Sequence, residues 1–384
     1  MGGGTPSTNN DAYWDGDIDW YSPAELGEQV YADRSVRRIT QAGYDSCSAT
    51  LLPAGKTILF TSRAGIGNTA ILRRSACTNQ GFQSLVVNDD ADVYFVYSMT
   101  NRIKKFAEQK ASGSTFLEIS GKGLAAGEFA FPSKDEQTAI GSMFKQLDHL
   151  ITLHQRKYDK LCTVKKSMLD KMFPKPGETE PEIRFEGFTD PWEQRKLGEF
   201  SKKKTTKNAD GALSETFTNS AEQGVISQLD YFDHDITNDA NISGYYVVQP
   251  DDFVYNPRIS ATAPCGPINR NRLNRAGVMS PLYTVFSADS SVDKTYLEHY
   301  FKTSRWHAFM FLEGNSGARS DRFSISDATF FEMPIWCPEI SEQMAIAKQL
   351  ETADSLITLH QRTCPIFCFC AHGSRTNFAS ALQG

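Results

Sequence analysis

Two stretches of the sequence combine cations and side-chain amides with a complete lack of acidic residues. The first runs from Ser46 to Asn88 and the second from Phe253 to Ala288. Lys and Arg neutralise phosphates, while Arg, Asn and Gln form paired hydrogen bonds with base edges. Both stretches therefore indicate contact with a nucleic acid. The candidate residues are Lys56, Arg63, Asn68, Arg73, Arg74, Asn79 and Gln80 in the first stretch, and Arg258, Asn269, Arg270, Asn271, Arg272, Asn274 and Arg275 in the second.

The same stretches carry no motif for catalysis or nucleotide binding. Gly55-Lys56-Thr57 lacks the upstream glycine of a phosphate loop, because position 50 is threonine. The GxGxxA run at 65–70 is followed by a segment that does not predict the helix of a dinucleotide site. Tyr255-Asn256-Pro257-Arg258 has arginine where the element of adenine methyltransferases has a second proline. We therefore expect no catalytic residue and no cofactor.

The best candidate for a metal site lies near the carboxyl end, at Cys364, Cys368, Cys370 and His372. Its spacing matches no zinc pattern, so we expect no metal. The eight cysteines are scattered, which indicates reduced thiols. No stretch approaches the ~18 apolar residues of a membrane span, and Met1 does not open a secretory leader. These features favour a cytoplasmic protein.

A repeat at an offset of 206 residues divides the chain into two halves. Residues 150–156, Leu-Ile-Thr-Leu-His-Gln-Arg, recur unchanged at residues 356–362. Over Glu136–Arg156, 12 of 21 positions are identical to the residues 206 further on. The same shift also overlays the two acid-free stretches. The alternative explanation is that each stretch is a strand-rich segment that merely lacks acids. This explanation is weaker when two such stretches coincide at the repeat offset.

Each copy of the repeat lies in a predicted long helix. From Ile140 to Met172, apolar residues recur at steps of three and four, which places them on one helical face. Ser133-Lys134-Asp135-Glu136 is a capping box that would start this helix. One such stripe is typical of a helix packed on its own domain, whereas two copies favour pairing with each other. The candidates for helix pairing or partner binding are Phe144, Leu147, Ile151, His154, Tyr158, Leu161, Leu350, Ile357 and His360.

Short predicted strands lie between the helices, at Thr57–Phe60 and Tyr245–Val248. The fold class is therefore α+β. We expect two mixed α/β domains separated by long, antiparallel, coiled-coil-like helices with a pseudo-twofold repeat.

Several motifs together resemble the specificity subunit of type I restriction-modification systems, over nearly the whole chain to Arg362. They are Gly2-Gly3-Gly4-Thr5-Pro6-Ser7, Asp17-Ile18-Asp19-Trp20, Asp135-Glu136-Gln137, both copies of the heptapeptide, and the run Phe188-Thr189-Asp190-Pro191-Trp192-Glu193-Gln194-Arg195-Lys196-Leu197-Gly198. The resemblance implies a non-catalytic protein in which two target-recognition domains each read half of a split site in double-stranded DNA. It also implies modification and restriction subunits as partners, which carry the methyltransferase and endonuclease activities.

This resemblance assigns a role to each segment. The expected segments are a first recognition domain, incomplete at its amino end (1–132), a central helix (133–173), an acidic Pro-rich linker (174–190), a second recognition domain (191–337), a shortened second helix (338–362) and an atypical, disordered tail (363–384). The alternative is a helical protein-interaction scaffold, or a non-functional truncated allele, that does not read DNA.

Two departures from the family pattern carry a further expectation. Trp192 has no counterpart 206 residues earlier, and residues 157–173 have none after Arg362. A central helix without the distal half of its partner would expose Tyr158, Leu161, Met168 and Met172. We therefore expect an uncovered apolar stripe and weaker assembly with the partner subunits.

Overall fold

The structure is a computed structural model that describes residues 1–363 except 28, 64, 114–116, 233–238 and 317–320. Internal contacts divide the chain into two compact units. The first comprises Met1–Lys157 with the described residues from His360, and the second comprises Tyr158–Leu359. The central helix thus contributes residues to both. Each unit contains both helices and strands, so the predicted mixed α/β class is confirmed.

The first unit contains two sheets. A three-stranded sheet has the order β3-β1-β6 and a four-stranded sheet the order β2-β5-β4-β7. β4 is antiparallel to both of its neighbours. The strands are β1 (Trp14–Tyr21), β2 (Tyr31–Ala32), β3 (Arg37–Ile39), β4 (Thr57–Phe60), β5 (Thr69–Leu72), β6 (Ala76–Thr78) and β7 (Leu85–Val86). The helices are α1 (Gln41–Asp45), α2 (Val93–Ser98), α3 (Thr100–Lys110), α4 (Gly121–Ala125) and the long α5 (Lys134–Lys171), with short 3-10 helices at Asp11–Tyr13 and Pro23–Glu25.

Strand β4 is the centre of the first unit because both of its faces are buried. Side chains alternate across a strand, so Ile58 and Phe60 point to one face and Leu59 to the other. Ile58 and Phe60 pack in a cluster with residues of α2 and α3, and Leu59 packs in a second cluster with Tyr21 and Phe82. The predicted strand at 57–60 is confirmed.

The second unit is built around a four-stranded sheet with the order β14-β13-β16-β9, and β13 is antiparallel to both of its neighbours. The strands are β8 (Glu193–Lys196), β9 (Ser201–Lys203), β10 (Phe217–Ser220), β11 (Gly224–Ser227), β12 (Tyr246–Val248), β13 (Phe253–Tyr255), β14 (Ile268–Arg270), β15 (Gly277–Met279), β16 (Thr284–Ala288), β17 (Asn315–Ser316), β18 (Phe323–Ser324) and β19 (Pro334–Cys337). The helices are α6 (Leu197–Phe200), α7 (Gln228–Phe232), α8 (Lys294–Tyr300), α9 (His307–Glu313), α10 (Asp327–Phe331) and the long α11 (Ile340–Thr363), with a 3-10 helix at Asp239–Gly244.

The two units share a framework despite different sequences. In each, a central strand is followed by a hairpin loop, its antiparallel partner and a helix with an aspartate N-cap. The strands are β4 and β5 in the first unit and β13 and β14 in the second. Asp92 accepts a hydrogen bond from Phe95 N at 2.8 Å to start α2, and Asp293 accepts one from Tyr296 N at 2.7 Å to start α8. These caps stabilise the first turn of each helix.

A buried glutamine joins each long helix to the aspartate-capped helix of its unit. Gln137 donates to Pro132 O at 2.9 Å and accepts from Asp92 N at 3.1 Å. Gln343, at the repeat offset, donates to Pro338 O at 2.8 Å and accepts from Asp293 N at 2.9 Å. Buried amides require such partners. This glutamine clamp explains why the repeat contains Glu-Gln at the start of each long helix.

The predicted apolar stripe of α5 is half-buried from Ile140 to Met168, while most positions between its members are exposed. In the first unit the rings of His154 and His360 lie 5.7 Å apart. In the second unit Lys165 donates a short hydrogen bond to Asp354. Residues later in α5 therefore contact residues earlier in α11, which is the order of an antiparallel pair. The roles of the remaining stripe residues stay a prediction.

The expected exposure of the distal part of α5 is wrong. Met172 is 4% exposed and lies in the main core of the second unit, against which Met168 also packs. Tyr158 and Leu161 are half-buried. The expectation failed because it considered only a partner helix, whereas this end of α5 packs on the globular core of the second unit. The tail residues 364–384 lie outside the described part of the chain.

Candidate nucleic-acid interface

The hairpin loop between β4 and β5 presents Arg63 to solvent. The loop is closed by Thr61, whose hydroxyl donates to Gly65 O at 2.5 Å and accepts from Asn68 N at 2.9 Å. Gly67 has a φ of +86°, and a side chain there would meet Lys104 at 2.5 Å, so Lys104 lies against the loop. Arg63 forms no ion pair with any acid in the described ranges. The loop thus offers a cation to an outside partner.

The second unit has a matching loop between β13 and β14. Arg258 lies three residues after the end of β13, as Arg63 lies three residues after the end of β4. Its side chain is 72% exposed, with Asp321 at 3.9 Å as its acidic neighbour. We name Arg63 and Arg258 the loop arginines. The match lies at an offset of 195 residues, so a search at the repeat offset of 206 does not find it.

A segment from later in the chain braces each loop through one backbone hydrogen bond. In the first unit Ile119 N donates to Ser62 O at 3.1 Å, directly before Arg63. In the second unit Phe323 N donates to Pro257 O at 2.8 Å, directly before Arg258. These backbone bonds fix the chain just before each loop arginine. Both loops are therefore held to the body of their unit at the same point.

Further cations of the first unit lie at the turn between β5 and β6. Arg73 stacks 4.1 Å from the centre of the Tyr31 ring and lies 3.4 Å from Asp33. Arg74 lies 3.6 Å from Asp19, whose side chain is 6% exposed. Both arginines remain more than half exposed. The turn therefore keeps guanidinium surface available, although acids from outside the acid-free stretch partly neutralise it.

Three arginines beside this turn were missed by the sequence analysis. Arg34, Arg37 and Arg38 lie in or just before β3, and Arg73 N donates to Ala32 O at 3.1 Å, which places the turn beside that segment. The guanidinium of Arg37 lies 3.5 Å above the Trp14 ring. The signal was the run Arg34-Ser35-Val36-Arg37-Arg38, which lies outside the acid-free stretch because Asp45 separates the two.

The other predicted residues of the first stretch already have partners within the protein. Lys56 forms an ion pair with Asp89, and this hydrogen bond lowers the pKa of that carboxyl. Asn79 accepts from Gly81 N at 2.8 Å, and Gln80 accepts from the Thr5 hydroxyl at 2.6 Å. Asn68 is half-buried in the loop of Arg63. Their contact with nucleic acid stays a prediction.

Two predicted amides of the second stretch lie inside the protein. Asn269 is 3% exposed and donates to Asn219 Oδ1 at 2.6 Å. Asn271 is 1% exposed and donates to Gln249 O and Arg275 O, each at 3.0 Å. The prediction of base contacts is wrong for these two residues, because their amides satisfy buried backbone and side-chain groups.

Arg270, the last residue of β14, and Arg272, just after that strand, contact acids of their own unit. Arg270, with a 10% exposed side chain, lies 3.3 Å from Asp251 and 3.4 Å from Glu298. Its prediction as a DNA contact is therefore also wrong. Arg272 joins Glu298 at 2.7 Å and Glu351 at 2.8 Å, which ties α8 to α11.

Arg275 and Asn274 occupy the turn that leads to β15. Both guanidinium arms of Arg275 donate to Glu215, at 2.7 and 2.6 Å, and this pairing lowers the pKa of that carboxyl. Asn274 is exposed and has a φ of +54°, a left-handed conformation that asparagine tolerates in turns. These two residues remain at the surface, but Arg275 is occupied.

The described residues contain no group of three or more His, Cys, Asp or Glu side chains that could hold a metal ion. The cysteines and histidine from Cys364 to His372 lie outside those residues. A search of the described helices for a long apolar segment also finds none that could cross a membrane. What the described surface offers is the pair of loop arginines and the cations of the first unit.

Comparison with known sequences finds a protein-family match in the first part of the chain. Residues 1–162 match the model of the type I restriction modification DNA specificity domain. A similar relative is the type I restriction enzyme MjaIX specificity subunit of Methanocaldococcus jannaschii, 38% identical over 154 residues, or 39% of this chain and 35% of that protein. The EcoR124I/EcoR124II specificity subunit of Escherichia coli is 27% identical over 176 residues, or 41% of this chain and 43% of that protein. The matches thus span less than half the length of these relatives.

Solved structures show the same fold over nearly the whole chain. The S subunit of a type I restriction-modification system from M. genitalium superposes with a TM-score of 0.56 at 12% identity and covers 96% of both chains. A structure on complex assembly and conformational transition of the type I R-M system gives a TM-score of 0.52 at 14% identity, over 97% of this chain and 92% of that chain.

Proposed function

Because residues 1–162 belong to the DNA specificity domain family of type I restriction-modification systems, and the chain has the fold of their S subunits, we propose that it reads a two-part DNA sequence. Each unit reads one part. The family predicted from the sequence motifs is confirmed for residues 1–162. Reading of DNA by this chain is the step that we add.

The matched loop arginines are the observation that carries the proposal. Arg63 and Arg258 occupy the same position in the same strand-loop-strand element, are exposed, and are braced by the same backbone bond. Among the described residues Arg63 forms no ion pair, and Arg258 has Asp321 at 3.9 Å as its acidic neighbour. An exposed guanidinium on a fixed loop suits a bidentate contact with guanine or a contact with phosphate.

The loops around the two arginines differ, which supports two different half-sites. Arg63 is followed by Ala64-Gly65-Ile66-Gly67, and Arg258 by Ile259-Ser260-Ala261-Thr262. The framework that holds these loops is shared, whereas the residues that would face the bases are not. This contrast favours a reader of two sequences over a scaffold without DNA contacts.

The duplicated heptapeptide supplies a candidate surface for partner proteins. Leu150 and Leu153 in α5 are 44% and 46% exposed, and their counterparts Leu356 and Leu359 in α11 are 42% and 57% exposed. Exposed leucines at repeated positions offer two equivalent apolar contacts. We propose that modification subunits dock here and that restriction subunits join the complex.

In this proposal the chain has no catalytic role. The partner subunits carry methyl transfer and DNA cleavage, and the complex acts in the cytoplasm. The specificity subunit contributes sequence recognition and a docking surface.

Methylome sequencing tests this function directly. The gene is expressed with its modification subunit in a host without other type I systems, and the host DNA is compared with that of cells lacking the gene. We expect one methylated motif made of two defined parts separated by a fixed spacer. Absence of any new motif, with the complex demonstrably assembled by gel filtration, would contradict the proposal.

A further inference from the structure

Three asparagines of the second unit are joined by hydrogen bonds, and the last of them binds the backbone of the loop arginine Arg258. Asn269 donates to the side-chain oxygen of Asn219 at 2.6 Å. The backbone oxygen of Asn219 accepts from the side chain of Asn256 at 2.8 Å. The side-chain oxygen of Asn256 accepts from Arg258 N at 3.0 Å. We name Asn269, Asn219 and Asn256 the asparagine chain, which runs from the interior of the unit to the loop.

Each amide of the asparagine chain is held in one orientation. Lys302 donates to the side-chain oxygen of Asn269, and an ammonium group can only donate. The side-chain nitrogen of Asn219 donates to Val254 O at 2.7 Å and to Pro267 O at 3.2 Å, and a carbonyl oxygen can only accept. Turning over any of these amides would therefore place two donors or two acceptors face to face.

The middle of the asparagine chain is buried and joins two hairpins. Asn219 is 1% exposed and Asn269 is 3% exposed. Asn219 lies in β10, whereas the carbonyls that it binds belong to Val254 in β13 and to Pro267, just before β14. A buried network in which the polar groups have partners is rigid. The β10–β11 hairpin thus supports the base of the loop that contains Arg258.

The matching residue of the first unit makes its contacts within its own loop. Thr61 directly follows β4, as Asn256 directly follows β13. The Thr61 hydroxyl binds Gly65 O and Asn68 N, which belong to the same loop. Asn256 reaches a different hairpin. Beyond the backbone bond that both loops share, the second loop therefore has a support from outside itself.

We propose that the asparagine chain positions Arg258 for the base that it reads in the second half-site. This proposal rests on the proposed function. A bidentate contact with a base edge requires the guanidinium group to lie at a defined place and angle. Asn256 holds the N–H of Arg258 itself, and Asn219 holds Asn256. The point from which the arginine side chain starts is therefore fixed by the interior of the unit.

The test uses the complex with its modification subunits and the motif found by methylome sequencing. Asn256→Ala removes both hydrogen bonds of the last amide. We expect it to weaken binding about tenfold and to relax recognition of the same base that Arg258→Ala relaxes, because a misplaced contact group loses much of its effect. Asn256→Asp keeps an acceptor for Arg258 N but removes the donor to Asn219 O, so it should relax the same base.

The matched control is Asn208→Ala in the same unit. Asn208 is 1% exposed, and its amide also makes two hydrogen bonds to a loop, with Leu213 O at 2.7 Å and Leu213 N at 3.1 Å. This variant should leave the motif unchanged. Thermal unfolding of every variant checks that it folds.

A double variant separates positioning from general support of the fold. If Asn256 acts through Arg258, Asn256→Ala combined with Arg258→Ala should bind as weakly as Arg258→Ala alone. Two losses that multiply would overturn the proposal. So would full recognition of the motif by folded Asn256→Ala or Asn256→Asp, or the same relaxation in Asn208→Ala.

The variants also separate this inference from the proposed function. A motif that is relaxed by Arg258→Ala but unchanged in Asn256→Ala removes the positioning role and leaves DNA reading by Arg258 intact. A motif that is unchanged in Arg258→Ala overturns both.

Discussion

The two units hold their loop arginines in the same way but surround them differently. Lys104, which pairs with Glu108 on α3, lies against the loop of Arg63, whereas α9 of the second unit has an exposed phenylalanine and leucine. The strands, the aspartate caps and the glutamine clamp are common to both. The comparison shows that duplication preserved the contacts that fix the loops, while the residues beside them changed. Specificity can therefore differ between halves without a different fold.

The arginines of the two acid-free stretches differ in how far they are exposed and how they are paired with acids. In the first unit Arg73 and Arg74 stay more than half exposed beside their acids. In the second unit Arg270 is inside a network of carboxylates, and Arg275 is held by Glu215. The same density of cations in the sequence thus leaves guanidinium surface available in the first unit, whereas these two arginines of the second unit are held by carboxylates.

The largest expected effect is on the glutamine clamp. Gln137→Ala and Gln343→Ala each leave a proline carbonyl and a backbone N–H of the aspartate cap without a partner in the interior. We expect each to lower the free energy of unfolding by about 3 kcal/mol. Urea unfolding measures the loss, with Gln146→Ala and Gln349→Ala, both exposed on the same helices, as controls. If only one clamp variant were destabilised, the two frameworks would not be equivalent.

The next prediction tests whether each unit reads a different half-site. Arg63→Ala and Arg258→Ala should each weaken binding to the mapped motif about 30-fold, because a guanidinium contact with a base is worth ~2 kcal/mol. Each variant should relax recognition in a different half-site, which methylome sequencing of the variants shows. Lys202→Ala, an exposed charge on β9, removes the same charge as a control. Loss in the same half-site for both variants would refute the assignment of one unit to each half.

Acid should destabilise the second unit more than the first at one matched position. His299 is 3% exposed on α8, and burial, helped by Lys165 and Arg272 and opposed by Asp354 and Glu351, lowers its pKa to about 4. Its counterpart on α2, six residues after the capping aspartate, is Ser98.

The unfolded chain protonates such a histidine near pH 6.5, whereas the folded unit resists protonation until about pH 4. Stability is therefore complete above pH 6.5 and falls as the pH drops toward 4. We expect a loss of up to about 2 kcal/mol between pH 8 and pH 5. Urea unfolding of the protein and of His299→Gln at both pH values measures it. An equal loss in the variant would show that other groups cause the acid sensitivity.

The smallest effect compares an arginine with available guanidinium surface, Arg73, with one that is held by a carboxylate, Arg275. Arg73→Ala should weaken DNA binding less than fivefold and reduce the slope of log affinity against log salt by about 1. Arg275→Ala should leave both unchanged, because its guanidinium is bound to Glu215. Fluorescence anisotropy across a salt series distinguishes them. A salt slope that changed only for Arg275→Ala would reverse our assignment of the two sites.

Periodicity and repetition in the sequence predicted much of the framework. The long helices, the strand β4 and the stripe from Ile140 to Met172 follow local patterns that packing preserved. The residues of the candidate site were harder to predict from the sequence. Asn269 and Asn271 share the residue type and tract of true surface amides, but their burial depends on distant partners, Asn219 in β10 and Gln249 just after β12. The acids that pair with Arg270 and Arg272 likewise come from distant elements.

The sequence analysis did not find the match between Arg63 and Arg258, for another reason. Insertions between the loops and the long helices change the offset from 206 to 195, so only the strands that precede the arginines align them. The basic run at Arg34–Arg38 was visible in the sequence, yet Asp45 separates it from the acid-free stretch that begins at Ser46.

The groups that the two clamp glutamines bind are all main-chain atoms. The side chains of Gln137 and Gln343 bind only a proline carbonyl and the N–H of the capping residue. Any recognition segment that ends in such a proline turn and contains such a capped helix can be grafted before the long helix without redesign of the junction. New target preferences can therefore arise by exchange of whole segments between related genes, because the contacts at the junction do not depend on the exchanged side chains.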